Sequence, residues 1–291
     1  MRVLIIGGTG QVGSLVAAGL AAKGADVHVL SRDVKRAAAI PKPQVGVVGD
    51  LLDVSVLRSE MQAADAAFVM SPPTESITFA GLTVLALAKE ARLQNVVMMT
   101  GQDCVIHQAS GHIGSLVPLE SELERSGLTY TLLNPNYFYQ NDERQKSRLL
   151  GEGVYGSPIG DVGLSRCDVR DIAGAALAAF EAPGRIKRLR VCGPEILKGD
   201  SVASGWSKAL GKPVRYGGHA DMREFEEQMV RAGFASHWAL DLRIMYESFQ
   251  RHGLLATAED VERLTAFLGR PPRSFAAYAR EAAAAWLGNG P

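Results

Sequence analysis

Three glycines follow the first apolar segment of the chain, at positions 7, 10 and 13. Glycine at this G-x-x-G-x-x-G spacing is typical of a strand, turn and helix that bind a dinucleotide, because the missing Cβ allows a tight turn and a close approach to a pyrophosphate. The following helix would present free N–H groups and the positive end of its dipole to the phosphates. A glycine-rich turn that serves only the fold is the alternative. The predicted phosphate-binding residues are Gly7, Thr9, Gly10, Gln11, Val12 and Gly13.

A basic and an acidic residue, Arg32 and Asp33, follow the second predicted strand. In dinucleotide-binding folds this position faces the adenosine ribose, where an acidic residue favours NAD and an arginine accommodates the 2′-phosphate of NADP. Because Arg32 comes first, we predict NADP(H) as the preferred cofactor, while Asp33 leaves NAD(H) open. The alternative is that these charges form the solvated start of a helix.

Three further loops follow predicted parallel strands, and ligands of open α/β sheets lie outside the carboxyl ends of such strands. Asp50 can accept a hydrogen bond from the adenine amino group, and Leu51 can pack on the ring. Prolines after Ser71 provide a stiff wall near the ribose and pyrophosphate, and the loop after the fifth strand suits polar contact with the nicotinamide ribose. The cofactor residues predicted from these loops are Asp50, Leu51, Ser71, Pro72, Thr100 and Gly101.

The chain lacks the Tyr-x-x-x-Lys pair with which ordinary short-chain dehydrogenases protonate a carbonyl, since none of its seven tyrosines has a lysine four residues later. Direct hydride delivery to a conjugated acceptor needs orientation more than a strong acid. The catalytic residue is therefore unassigned, with Gln102, His112 and Tyr137 as candidates. We predict that Gln102, Asn136, Tyr137 and Tyr139 bind the substrate, although the aromatic residues could equally pack in a core.

Short apolar runs alternate with amphipathic stretches in the first half of the chain, which predicts β-α-β units and a parallel sheet. Several strands are continuously apolar, so helices should cover both faces. We predict an α/β fold, a doubly wound parallel sheet of the Rossmann type, with a small, mostly helical C-terminal substrate lobe. The predicted NAD(P)-binding core spans residues 1–150, and residues 151–291 form the lobe and return one strand to the core at 186–195. The basic residues between 185 and 190 are interpreted as a solvated edge strand.

Composition argues against several classes of protein. Apolar residues make up 47% of the 291 residues, which excludes disorder, and 31 basic residues balance 31 acidic ones, which disfavours a nucleic-acid partner. The three cysteines and six histidines show neither disulfide nor metal-ligand spacing, so no metal site is predicted. The apolar runs are too short for a bilayer span or a signal peptide. We therefore expect a soluble, cytoplasmic protein without a membrane partner.

Several segments resemble the NmrA-like branch of the atypical short-chain dehydrogenases/reductases. They are the GGTGQVG turn at residues 7–13, the Ser31-Arg32-Asp33 step, Gly49-Asp50, and the segments 124–131, 168–173, 192–195, 210–214 and 268–272. The resemblance covers nearly the whole chain and departs at Asn134, where many relatives have arginine. It implies a Rossmann domain that holds NADP(H) or NAD(H) and a small C-terminal substrate lobe.

Two functional classes follow from that resemblance. Some members reduce quinones, azo dyes or triphenylmethane dyes, and others are redox-sensing regulators that bind the cofactor without turning it over. We expect an NADPH-dependent oxidoreductase that transfers hydride directly to a small conjugated or aromatic acceptor, such as a quinone, a dye or an enone. A catalytically silent NAD(P)-sensing regulator that binds a protein partner is the alternative, and a homodimer is compatible with both.

Overall fold

A computed structural model describes residues 1–71, 73–218 and 221–288. The strands are β1 (Arg2–Ile6), β2 (Asp26–Ser31), β3 (Val45–Val48), β4 (Ala66–Met70), β5 (Asn95–Met99), β6 (Tyr130–Pro135), β7 (Val154–Tyr155), β8 (Arg188–Val191) and β9 (Arg215–Tyr216). The helices are α1 (Gln11–Ala22), α2 (Val34–Ala38), α3 (Val54–Ala63), α4 (Ile77–Glu90), α5 (Gly111–Gly114), α6 (Val117–Arg125), α7 (Lys146–Gly151), α8 (Val169–Glu181), α9 (Gly199–Leu210), α10 (Met222–Arg231), α11 (Ser236–His252), α12 (Ala258–Leu268) and α13 (Phe275–Trp286). A 3-10 helix spans Tyr139–Gln145.

The chain forms two compact units, each discontinuous in sequence. The first unit contains Met1–Gln108, His112–Pro135 and Val169–Arg190. The second unit contains Ala109–Gly111, Asn136–Asp168 and Val191–Pro291. The chain therefore leaves the first unit at residues 109–111 and again after residue 135, and it returns with α8 and most of β8. The predicted division at residue 150, with one strand returning at 186–195, stays a prediction.

A seven-stranded sheet forms the centre of the first unit, in the order β3-β2-β1-β4-β5-β6-β8. Strand β1 pairs in parallel with β2 on one side and with β4 on the other, so that Ile5 lies beside both Val29 and Phe68. The strand order changes direction between β1 and β4, which creates a crevice at the carboxyl ends of these two strands. The predicted doubly wound α/β fold of the Rossmann type is confirmed.

Helices cover both faces of this sheet, as its continuously apolar strands require. On one face, α3, α4 and α6 bury Leu57, Leu85 and Leu119 in a single core with the strands. On the other face, α1 packs against α8. Gly19 permits that approach, because a Cβ there would lie 2.5 Å from Cδ1 of Leu177. Removal of these apolar faces from water is the main force that holds the layers together.

The second unit is mostly helical, as predicted for the C-terminal part of the chain. A short parallel pair, β7 and β9, accompanies its helices. Its core is aromatic: the rings of Trp206 and Trp286 are stacked with centroids 4.6 Å apart, and those of Tyr139 and Tyr278 are stacked at 5.6 Å. Stacked and edge-on aromatic contacts of this kind add to the stabilisation that comes from burial.

An ion pair is buried in the second unit. Arg166 and Asp142 are both almost completely buried, with 2.8 Å between Nη2 and Oδ1. Asp142 also accepts hydrogen bonds from Nε1 of Trp206 at 3.0 Å and from the hydroxyl of Tyr155 at 3.2 Å. Because desolvation of both charges is costly, a pair at this depth is stable only while each charge keeps its partners.

The described residues lack two features, a membrane-spanning helix and a cluster of metal-binding side chains. Among them, no helix has both the length and the apolar character that crossing a membrane requires. In the same residues, no three His, Cys, Asp or Glu side chains come together as a metal site. Cys104, Cys167 and Cys192 are all buried.

Replacement of Asp142 by alanine should lower the free energy of unfolding by about 3–5 kcal/mol, because the guanidinium of Arg166 stays buried without its carboxylate. Urea unfolding followed by tryptophan fluorescence measures this loss. Glu152→Ala is the matched control, since it breaks the exposed Arg148–Glu152 pair and should cost less than about 1 kcal/mol. Equal losses for the two variants would show that the buried pair does not stabilise the unit.

Candidate functional site

The turn between β1 and α1 requires glycine at two positions. Gly7 has a φ of +82°, and a Cβ there would lie 2.8 Å from the carbonyl oxygen of Met70. A Cβ at Gly13 would lie only 2.2 Å from the carbonyl oxygen of Gly7. The two glycines therefore allow β1, β4 and α1 to meet at the crevice of the sheet.

The N-terminus of α1 has the geometry of an anion site. Gly10 is the N-cap residue, and its N–H donates to the carbonyl oxygen of Gly7 at 3.1 Å. Gln11, Val12 and Gly13 follow as the first turn, whose N–H groups have no acceptor within a helix. Such groups, together with the positive end of the helix dipole, favour a phosphate. The structure thus brings these predicted residues together at one helix end.

A cleft of about 480 Å³ opens beside this turn, within the first unit. Its walls are formed by the ends of β1 and β2, by the loops after β3 and β4, and by the start of α4. Six of the predicted cofactor residues line it: Gly7, Thr9, Arg32, Asp50, Leu51 and Ser71. These six residues share one cleft although they come from four separate loops, whereas Gly10, Gln11, Val12 and Gly13 are not among its described lining residues.

Two arginines and one aspartate lie at the β2 end of the cleft, namely Arg32, Arg36 and Asp33. Oδ1 of Asp33 accepts the N–H groups of Lys35 and Arg36, at 2.8 and 3.1 Å, and so caps α2. Both arginines are exposed. This end of the cleft therefore combines two guanidinium groups with a carboxylate that is engaged by the backbone, an arrangement suited to a phosphate.

Two other polar groups of the cleft differ in their partners. Oδ1 of Asp50 accepts the N–H of Leu52 at 2.9 Å, which fixes the loop after β3. The hydroxyl oxygen of Ser71 is buried and has no hydrogen-bond partner among the described residues. A buried hydroxyl without a partner is unfavourable, and an oxygen-rich ligand in the cleft would relieve that cost. Pro72, predicted beside it, lies outside the described residues.

The loop after β5 is held by residues of the first unit to which sequence analysis assigned no role at the site. The hydroxyl of Thr100 donates to Oε1 of Glu120 at 2.6 Å, and Nδ2 of Asn134 donates to the carbonyl oxygen of Gly101 at 3.1 Å. Nη1 of Arg188 donates to Oε2 of Glu120 at 2.9 Å. Thr100 and Gly101 are therefore firmly positioned, at the end of β5 and outside the described lining of the cleft.

The interpretation of the basic run as a solvated edge is incomplete. Arg188 forms ion pairs with Glu120 and Glu124, at 2.9 Å each, and Arg190 pairs with Asp103 at 2.6 Å. These carboxylates are 64 to 87 residues away in the sequence. No local pattern connects such partners, so only the fold reveals them.

The predicted substrate residues of the second unit are engaged in packing. Nδ2 of Asn136 donates to the carbonyl oxygen of Leu254 at 2.7 Å. The hydroxyls of Tyr137 and Tyr246 are 2.7 Å apart, and burial raises the pKa of Tyr137 well above its usual value, so this phenol stays protonated. Tyr139 is fully buried in the aromatic core. These contacts favour the packing alternative, and a substrate role for these residues stays a prediction.

The remaining catalytic candidates, Gln102 and His112, follow β5 in the sequence. Gln102 is almost completely buried, and its Nε2 donates to Oδ2 of Asp103 at 3.1 Å. His112 is half-buried in the short helix α5. Burial raises the pKa of the nearby Cys104 thiol to about 12, so this cysteine is not a nucleophile at neutral pH. The catalytic roles of Gln102 and His112 stay predictions.

Comparison with known proteins assigns the chain to a family. The sequence model of the NmrA-like family matches residues 1–275. The chain belongs to the NmrA-like family. The resemblance that the motifs suggested is therefore confirmed over nearly the whole chain.

Three similar proteins show the range of this family fold. An NAD(P)H azoreductase of Xenophilus azovorans is 29% identical to this chain over 287 residues, covering 98% of this chain and 99% of that protein. The NADPH-dependent quinone oxidoreductase QOR2 of Escherichia coli, complexed with NADPH, has a TM-score of 0.81 and 22% identity, covering 95% of this chain and 98% of that one. NmrA, a negative transcriptional regulator in complex with NADP, has a TM-score of 0.79 and 17% identity, covering 100% and 98%. The two solved structures share the fold of this NmrA-like chain.

Gly13→Ala should lower the free energy of unfolding by about 1–3 kcal/mol, because the new methyl group meets the Gly7 carbonyl and overpacks the turn. It should also displace the N-terminus of α1 and abolish dinucleotide binding in a calorimetric titration. Gly151→Ala is the control, since a Cβ there meets no atom within 4 Å. Unchanged stability and dinucleotide affinity in Gly13→Ala would refute the steric role of this glycine.

Proposed function

We propose that this NmrA-like chain is an NADPH-dependent oxidoreductase that transfers hydride directly to a small conjugated or aromatic acceptor. The observation that carries the proposal is the cleft beside the β1–α1 turn. Its residues fit the cofactor in three respects: close backbone approach at Gly7 and Gly13, the positive charges of Arg32 and Arg36, and the buried hydroxyl of Ser71, which has no hydrogen-bond partner within the described part of the chain.

The preference for NADP(H) over NAD(H) is supported by the role of Asp33. A carboxylate at this position binds NAD by accepting hydrogen bonds from the ribose hydroxyls. In this chain Oδ1 of Asp33 already accepts two backbone N–H groups, and Arg32 and Arg36 lie at the same end of the cleft. Charge-assisted hydrogen bonds from guanidinium groups favour a 2′-phosphate. NAD(H) lacks that phosphate and should bind more weakly.

The class of acceptor is inferred from what the chain lacks and from its relatives. Bound NADPH supplies a hydride from C4 of the nicotinamide ring, and a proton from water completes the two-electron reduction of the acceptor. Without a Tyr-x-x-x-Lys pair, the protein has to rely on orientation, which suits a quinone, an azo dye or an enone. Azoreductase and quinone oxidoreductase activities in the names of two similar proteins support this choice.

A second function, a silent cofactor sensor, is favoured by one structural neighbour. NmrA is a transcriptional regulator that holds NADP on the same fold. A protein of this kind would bind NADP(H) without turnover and signal its redox state to a protein partner. Turnover distinguishes it from the reductase.

Steady-state oxidation of NADPH, followed by nicotinamide absorbance, tests the reductase directly. With a panel of one quinone, one azo dye and one enone, we expect at least one acceptor to be reduced at about 1 s⁻¹ or faster, the ordinary range of enzymes. The Gly13→Ala variant serves as the control for contaminating reductases and should be inactive. NADPH binding without turnover of any acceptor would favour the sensor instead.

Arg32→Ala should weaken NADPH binding by on the order of 1–3 kcal/mol, because a charge-assisted contact with the 2′-phosphate is lost. NADH binding should change little. Calorimetric titration of both cofactors measures the difference, with Lys35→Ala as the control, since Lys35 is exposed next to Arg36 but outside the lining of the cleft. Equal weakening of the two cofactors would mean that Arg32 does not recognise the phosphate.

A further inference from the structure

The edge strand β8 sends two arginines toward the β5 loop, defined here as Thr100–Asp103. Arg188 contacts three side chains: Nη1 lies 2.9 Å from Oε2 of Glu120 and 3.0 Å from Oδ1 of Asn134, and Nη2 lies 2.9 Å from Oε1 of Glu124. Glu120 and Asn134 are buried, whereas the guanidinium is partly exposed. Arg188 therefore lies at the surface of the first unit while its guanidinium contacts the buried side chains of Glu120 and Asn134.

Glu120 and Asn134 carry these contacts into the first half of the β5 loop. Oε1 of Glu120 accepts from the hydroxyl of Thr100 at 2.6 Å and from Nδ2 of Asn134 at 2.7 Å. The same Nδ2 lies 2.8 Å from the hydroxyl oxygen of Thr100 and 3.1 Å from the carbonyl oxygen of Gly101. Glu120 and Asn134 therefore hold Thr100 and Gly101 directly, and Arg188 contacts both of these holding side chains.

Arg190 holds the second half of the β5 loop. Its Nη2 donates to Oδ1 of Asp103 at 2.6 Å, and Oδ2 of the same carboxylate accepts from Nε2 of Gln102 at 3.1 Å. Asp103 has a φ of +52°, in the left-handed region that aspartate tolerates better than most residues. The ion pair therefore opposes relaxation of a strained position.

The sheet order indicates which part of a dinucleotide this loop would serve. The arginines at the end of β2 match the adenosine half, and the turn after β1 matches the pyrophosphate. A ligand that continues across the crevice between β1 and β4 reaches the carboxyl end of β5 next. The β5 loop is therefore the first-unit segment suited to the nicotinamide half.

We propose that Arg188 and Arg190 are positioning residues that hold the β5 loop in the conformation needed by the nicotinamide half of NADP(H). This inference rests on the proposed cofactor function. In this proposal each arginine acts indirectly, Arg188 through Glu120 and Asn134, and Arg190 through Asp103. Loss of Arg188 removes the guanidinium that Glu120 and Asn134 share, and such buried polar groups rearrange when a partner is lost. The adenosine half, bound at the far side of β1, should not sense that change.

Calorimetric titration with two ligands tests this division. NADP⁺ carries both halves, whereas adenosine 2′,5′-bisphosphate carries only the adenosine half. In Arg188→Ala and in Arg190→Ala, we expect the affinity for NADP⁺ to fall by about tenfold, the effect of roughly one lost charge-assisted hydrogen bond. The affinity for adenosine 2′,5′-bisphosphate should stay unchanged. Arg125→Ala, which removes an exposed arginine from α6, should alter neither affinity.

Conservative variants cover the case in which an alanine variant does not fold. Arg188→Lys keeps the charge but loses the fork that reaches two carboxylates, so it should retain a lower NADP⁺ affinity than the unaltered protein and a higher one than a folded Arg188→Ala. Glu120→Gln keeps the shape of the side chain but removes its charge. It should lower the affinity for NADP⁺ and leave the affinity for adenosine 2′,5′-bisphosphate unchanged. Both measurements are made at a temperature where thermal unfolding shows the variant to be folded.

Three results would overturn the proposal. Unchanged NADP⁺ affinity in folded Arg188 and Arg190 variants would remove the positioning role. An equal decrease in the affinities for NADP⁺ and for adenosine 2′,5′-bisphosphate would indicate a general structural role of the arginines and would leave the proposed cofactor function intact. Failure of the unaltered protein to bind NADP⁺ would instead contradict the proposed function, and the positioning role with it.

Discussion

The close approach of α1 to the carbonyl of Gly7 constrains the whole cofactor cleft. A Cβ at Gly13 would lie 2.2 Å from that oxygen, so the helix reaches its position only when this residue is glycine. In that position, its N-terminus meets the crevice where the strand order changes direction between β1 and β4. The loops after β2, β3 and β4 then converge on the same space. Phosphate recognition at this helix end therefore depends on the close contact between Gly13 and the Gly7 carbonyl, which leaves no space for a methyl group at position 13.

Two carboxylates that line the cleft also hold the backbone of the loops that carry them. Asp33 and Asp50 each accept backbone N–H groups and so fix the loops that carry them. Arg32 and Ser71 line the same cleft as these two aspartates. Since the oxygen of Ser71 is buried without a partner among the described residues, it adds a reason for a polar ligand there. Because Asp33 and Asp50 accept backbone N–H groups, Arg32 and Arg36 are the charged side chains of the cleft suited to bind a phosphate.

The sequence predicted the elements and site residues that depend on residues close together in the chain. It did not predict contacts between residues far apart in the chain. The glycine turn and the alternation of apolar runs lie within short windows, so the sheet and the residues around α1 followed from them. Arg188 and Glu120 are 68 residues apart, and no window contains both, so the network around Asn134 emerged only from the fold. Tyr139 shows another limit, because an aromatic residue suits a substrate wall and a buried core equally well. Its complete burial favours the core.

The proposed preference for NADP(H) depends on recognition of its 2′-phosphate in the cleft of the first unit of this NmrA-like chain. Calorimetric titration of the unaltered protein with NADP⁺ and NAD⁺, under identical salt conditions, measures that recognition. Two guanidinium groups at the phosphate predict tighter binding of NADP⁺ by about tenfold or more. Equal affinities, or tighter binding of NAD⁺, would contradict the proposed preference.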